Sequence, residues 1–118
     1  MRGASLAALL AVVCLGCLTP MPEQSATERE LLRRIETSGT PQDHEALAAF
    51  YREEAKIMEE RAASHDDRAK RYLRIPRGGR PGYYQQRGLA AYYRRIAAKY
   101  RELAALHERQ ASELRSAR

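Results

Sequence analysis

Residues 48–72 read AAFYREEAKIMEERAASHDDRAKRY, and residues 90–111 read AAYYRRIAAKYRELAALHERQA. In the first stretch Ala48, Ala55, Ala62 and Ala69 recur at every seventh position; in the second, Ala90, Ala97, Ala104 and Ala111 do the same. Larger residues fall between them: His44, Tyr51, Met58, His65 and Tyr72 on one arm, and Tyr93, Tyr100, His107 and Leu114 on the other. Alternating steps of four and three keep one stripe of a helix against a partner helix. Between the arms stands Pro76-Arg77-Gly78-Gly79-Arg80-Pro81-Gly82, a run that breaks any helix entering it. The expectation is an all-α chain, an antiparallel alanine-seamed helical hairpin of the coiled-coil kind, with a short N-terminal helix packed at its base.

Arithmetic on the turn fixes the register. If Ala69 faces Ala90, then Ala62 faces Ala97, Ala55 faces Ala104 and Ala48 faces Ala111. The larger residues then layer as Tyr72 with Gln86, His65 with Tyr93, Met58 with Tyr100, Tyr51 with His107 and His44 with Leu114. One register satisfies both sets. Alanine at every second seam position lets the backbones approach below the usual ~8–10 Å. The arms would be about 50 Å long at ~1.5 Å per residue.

Ahead of the hairpin, Thr27-Glu28-Arg29-Glu30 has the spacing of a capping box and opens a helix through Leu31, Leu32 and Ile35. Thr40, Pro41 and Asp43 then mark a second helix start, as cap, first-turn proline and first-turn acid. The first residues have a targeting character: Arg2 precedes an apolar stretch, Leu6 to Leu15, too short to span a bilayer. Leu15-Gly16-Cys17 resembles the end of the lipobox of bacterial lipoproteins, with Cys14 standing where that motif usually has an aliphatic residue. The resemblance implies lipidation at Cys17 and a membrane held through that lipid. Leu18, in place of the Asp that commonly retains lipoproteins at the inner membrane, implies the periplasmic face of the outer membrane. The phrase from Thr40 to Ala55 also resembles openings of uncharacterised small secreted helical proteins, which imply no activity. The expected organisation is a signal peptide over 1–16, a lipidated tether over 17–26 and a helical domain over 27–118. That domain divides into a short helix 27–38, a long helix 41–75, a turn 76–82 and a long helix 83–117.

The chain has 118 residues, one Phe and no Trp, so its core is thin and leans on alanine. The two cysteines, Cys14 and Cys17, both belong to the export segment, which leaves the mature domain no disulfide and no thiolate site. A second apolar stripe flanks the seam: Leu47, Phe50 and Ile57 on one arm, Leu89, Tyr92, Ile96, Leu103 and Leu106 on the other. Two occupants suit that groove. Leu31, Leu32 and Ile35 can fold into its base, and two hairpins can associate as a homodimeric four-helix bundle.

Charge is uneven. Between Arg68 and Arg101 stand eleven basic residues and no acid, whereas between Leu18 and Asp67 acids outnumber bases by twelve to six. Arg71, Arg74, Arg77, Arg80 and Arg87, interleaved with Tyr83 and Tyr84, are the candidate anion contacts. Three readings fit such an end: a solvated tip, contact with anionic lipid head groups or acidic envelope polymers, and nucleic acid. Export sets nucleic acid aside. The seam residues His44, Met58, His65 and His107 form an alternative site for copper or zinc. His44 and His65 lie about 31 Å apart along one helix, so three ligands would need a second chain; hydrogen bonds from these histidines to Tyr51 or Tyr93 are the simpler expectation. No catalytic residues are expected: Asp43-His44 and His65-Asp66 are sequence neighbours whose side chains diverge on a helix, and no serine sits in a nucleophile motif. The functional expectation is an exported, non-enzymatic envelope lipoprotein working by contact through its basic tip, with a periplasmic metal-binding bundle as the alternative.

Overall fold

The computed structural model describes residues 25–118. The expected signal peptide, Cys17 and the tether up to Gln24 lie outside the described residues. Three helices follow in order: α1, Ala26–Thr37; α2, Pro41–Tyr72; and α3, Gly79–Ser116. The two long helices pack against each other along their length, and the backbone of α1 runs beside α2. The fold is all-α, as the seam predicts.

The start of α1 differs from the expected capping box. Ser25, not Thr27, is the cap: its Oγ accepts the Glu28 N–H at 3.1 Å. Thr27 is therefore already inside the helix, and Glu30 turns to Arg33 at 2.8 Å instead of reaching back. The elbow between α1 and α2 has the capping box that Thr40 and Asp43 predict. Thr40 Oγ1 accepts from the Asp43 N–H at 3.2 Å, and Asp43 Oδ2 accepts from the Thr40 N–H at 3.2 Å. The same carboxylate collects the Ser38 hydroxyl at 2.7 Å and Arg34 at 2.8 Å, so one buried acid ties the end of α1 to the start of α2. Hydrogen bonds from Ser38 and Thr40, then Arg34, hold its carboxyl well below the usual carboxylate range.

All eight seam alanines are buried, none more than 3% exposed. The register is the expected one. His65 stacks on Tyr93 with ring centroids 5.3 Å apart, and Tyr51 on His107 at 5.9 Å. Met58 and Tyr100 share one apolar cluster with Ala55 and Ala97. Leu31, Leu32 and Ile35 of α1 pack on a second cluster built from Leu47, Ala48, Tyr51 and Ala104, and the Tyr51 hydroxyl donates to Glu28 across the same contact. Burial, followed by the Glu28 charge, pushes the Tyr51 phenol up to about 12.

The turn is shorter than expected. α2 ends at Tyr72 rather than residue 75, because Arg74 and Ile75 bond back only three residues, to Arg71 and Tyr72, and tighten the chain out of the helix. α3 begins at Gly79 rather than residue 83. Pro81 then lies in the first turn, where its missing N–H has no helical acceptor to lose. Gly78 takes φ +114, open to glycine alone at little cost, and a Cβ at Gly79 would run into the backbone carbonyl of Tyr72. The tight return of the chain depends on both.

One flank of the seam carries a feature absent from the expectations. Glu45 pairs with Arg115, Arg52 with Glu108, Glu59 with Arg101 and Asp66 with Arg94, each rung seven residues from the next. Partly exposed pairs of this kind contribute only ~0–1 kcal/mol each. Their larger effect is on register. Sliding one arm by a heptad keeps alanine against alanine, but in either direction it sets two rungs at like charge, with Arg52 facing Arg101 or Arg115. The ladder therefore removes a degeneracy the alanines leave open.

Candidate functional site at the turn end

The turn end gathers the residues that the ladder leaves over. Arg71 closes α2; Arg74 and Arg77 lie in the connection; Arg80 sits in the first turn of α3. Among the described residues none of these four has an acidic partner, and all four are exposed. Arg87 is different: its guanidinium holds Asp66 at 2.8 Å, beside Arg94 on the same carboxylate. The hydrogen bond from Arg94, with Arg87 behind it, keeps the Asp66 carboxyl below its ordinary pKa. Of the five arginines expected to contact anions, four are uncommitted and one is held by the opposite arm.

Apolar side chains stand among these arginines. Leu73 is 61% exposed, Ile75 50% and Tyr84 68%. Tyr83 is half-buried and meets Tyr84 edge to face, centroids 5.2 Å apart. A shallow cleft of about 460 Å³ opens beside them, lined by Arg68, Arg71, Tyr72, Ile75 and Gln86. Gly78 gives α3 no side-chain cap, so the positive end of that helix also points into the tip. Arg77 adopts φ +56, a left-handed conformation uncommon for a residue with a side chain. Sequence reasoning found the arginines and tyrosines but passed over Leu73 and Ile75, whose exposure follows from the early end of α2.

The alternative metal ligands do not converge. His44 and His107 meet, Nδ1 to Nδ1, at 3.0 Å. His65 lies farther toward the turn, with its Nδ1 at 2.7 Å from Gln86 Oε1, and Met58 is packed between Ala55 and Ala97. Among the described residues no three His, Cys, Asp or Glu side chains are grouped to hold a metal ion. The 3.0 Å His–His contact is a hydrogen bond, one ring donating and the other accepting. The expected hydrogen bonds to Tyr51 and Tyr93 are replaced by stacking, because the flat rings lie face to face across the seam. Both acid–histidine neighbours are split, Asp43 toward the elbow and His44 toward His107, His65 toward Gln86 and Asp66 toward its arginines. Neither pair forms an acid–base couple.

No helix among the described residues is long and apolar enough to cross a membrane. Comparison with family models, with curated proteins and with solved structures returns no match.

Proposed function

We propose that this chain is a non-enzymatic lipoprotein of the cell envelope, exported, anchored through Cys17 at the periplasmic face of the outer membrane, and acting by contact of its hairpin tip with anionic envelope material. The observation that carries this reading is the company the arginines keep. Arg71, Arg74, Arg77 and Arg80 have no acidic partner among the described residues. Arg77 and Arg80 line a cleft with Leu73 and Ile75, and Leu73, Ile75 and Tyr84 are exposed at the same end. A tip that only kept the protein soluble would need the charges and would gain nothing from three large apolar side chains in water. Cations beside apolar and tyrosine side chains suit a lipid interface, where the guanidinium groups lie at head-group level and the hydrocarbon goes below it.

Near an anionic surface each arginine contributes about 1 kcal/mol, so replacing four of them by glutamine is expected to weaken binding roughly a thousandfold. Co-sedimentation with phosphatidylglycerol-containing vesicles, against phosphatidylcholine alone, measures this for the native chain and for Arg71→Gln/Arg74→Gln/Arg77→Gln/Arg80→Gln. Binding that ignores lipid charge, ionic strength or the fourfold replacement would overturn the proposal. Mass spectrometry of the N-terminus in the producing cell tests the anchoring separately: an acylated Cys17 is expected, and an unmodified first residue elsewhere rejects it.

A further inference from the structure

About a quarter turn round α3 from the alanine seam runs a second stripe at steps of three and four: Leu89, Tyr92, Ile96, Lys99, Leu103 and Leu106. Tyr92 is 51% exposed, Leu103 37% and Leu106 40%, while Leu89 and Ile96 are half-buried. The backbone of α1, which could have covered this face, runs beside α2 instead. The stripe has an internal symmetry. The midpoint of α3 falls between Ala97 and Ala98, and the six residues sit in pairs equidistant from it: Leu89 with Leu106, Tyr92 with Leu103, Ile96 with Lys99. A helix written this way is complementary to its own reverse.

We infer that this face docks a second copy of the same chain, α3 antiparallel to α3 about a two-fold axis through that midpoint, so that two hairpins form a bundle of four long helices. The contact is isologous, and each pair occurs twice. Leu89 of either copy meets Leu106 of the other, and Tyr92 meets Leu103. Ile96 is covered by the four-carbon stem of Lys99 from the other copy, whose amine already reaches out to Glu102 of its own helix at 3.2 Å. Slipping the pair by one heptad either way strands two apolar residues of each copy, Leu103 and Leu106 or Leu89 and Tyr92.

Charge chooses the same partner and the same direction. Arg95 and Glu102 flank the stripe on one edge, a heptad apart and both exposed. In the antiparallel pairing, Arg95 of each copy comes opposite Glu102 of the other. Arg95 has no acidic partner within the chain among the described residues, and Glu102 has only Lys99, one turn away on its own helix. A parallel pairing would set Arg95 against Arg95 and Glu102 against Glu102, and the stripe would lose its complementarity. These residues are distinct from the tip arginines, so the inference stands apart from the proposed function.

Sedimentation velocity of the chain over a range of concentrations, with Arg95→Glu and Glu102→Arg examined singly and mixed, tests it. The native chain is expected to be a dimer, and each single variant, folded as judged by circular dichroism, to dissociate at least tenfold more readily. An equimolar mixture of the two is expected to recover the native dimer, because both cross-copy contacts then join opposite charges. Tyr92→Glu is expected to be monomeric under any mixing. A native chain that stays monomeric, a dimer indifferent to both charge reversals, or a mixture that fails to recover would each reject the inference.

Discussion

The base and the turn end of the hairpin share one alanine seam and differ in what surrounds it. At the base charges on neighbouring helices are paired: Asp43 gathers Arg34 and two hydroxyls, Glu45 holds Arg115, and Arg52 holds Glu108. Leu31, Leu32 and Ile35 cover the neighbouring apolar surface, and Tyr51 reaches Glu28. At the turn end, beyond Asp66, the ladder stops, the arginines stand unpaired and Leu73 and Ile75 face water. The contrast teaches that the unpaired arginines of the turn and its exposed apolar side chains occur together, where the ladder ends. Along the seam's flank the cations are held in a ladder of opposite charges, whereas at the turn Arg71, Arg74, Arg77 and Arg80 stand without one among the described residues.

If the base is braced on a third helix and the turn end is not, overpacking the seam should cost more at the base. Leucine in place of a buried seam alanine forces the arms apart, at about 1–3 kcal/mol. Ala48→Leu is expected near the upper end, because Leu47, Tyr51 and α1 leave the base no room to open. Ala69→Leu is expected near the lower end, since the turn can splay. Exposed Ala63→Leu is the control and should be near neutral. Urea unfolding measures all three; an Ala69→Leu loss larger than that of Ala48→Leu would mean that the turn, and not the base, holds the arms together.

How legible was this in the sequence? The hairpin, its register and the buried alanines follow from a period of seven that only a helix–helix seam explains, and the Thr40–Asp43 cap follows from local chemistry. The ends of the long helices did not follow. Pro81 looks like a helix stop until it is placed in a first turn, where a missing N–H costs nothing, and the three-residue hydrogen bonds that end α2 at Tyr72 have no sequence mark. The ladder was present as Glu45, Arg52, Glu59 and Asp66 against Arg115, Glu108, Arg101 and Arg94, but a count of charges along the chain hides it. Only folding the arms together shows that Arg87, Arg94 and Arg101 are spoken for. The spread of the candidate ligands along the seam was legible as layers too far apart for one chain to bring three together. The direct contact of His44 with His107 was not, because it depends on both rings leaning across their layers.

That contact makes the base sensitive to pH. One Nδ1 must donate and the other accept, so a second proton on the pair sets two N–H groups against each other. Burial, then the charge of His44, pushes the His107 pKa down, with Gln110 opposing. A base whose folded pKa is depressed binds fewer protons folded than unfolded between the two values, so stability rises with pH across that window. It should begin to fall as pH drops below the ~6.5 of an unfolded histidine and continue falling until His107 is itself protonated. A lower thermal midpoint at pH 5.5 than at pH 7.5 is expected, flattened in His44→Phe/His107→Phe. The two pH values lie above the range in which Asp43 takes up a proton, so the elbow does not contribute. An unchanged pH dependence in the double variant would place the titrating group elsewhere.

The smallest expected effect separates the two ends most cleanly. Arg77 holds a left-handed φ at the crest of the turn, where a side chain is strained and glycine is not. Arg77→Gly should therefore stabilise the chain by about 0.5–1 kcal/mol, offset in part by the greater freedom of glycine when unfolded. The same change removes one of the four unpaired cations and should weaken binding to anionic vesicles severalfold, near the ~1 kcal/mol that one arginine supplies there. A gain in stability joined to a loss of binding is what a residue retained for contact at the expense of the turn would give. A substitution at the base, such as Arg34→Gly, should do the reverse in kind: it strips Asp43 of its guanidinium, lowers stability and leaves vesicle binding alone. If Arg77→Gly were stabilising and bound vesicles as well as the native chain does, the strained arginine would have no part in the tip's contact, and Leu73, Ile75 and the three remaining cations would have to account for it.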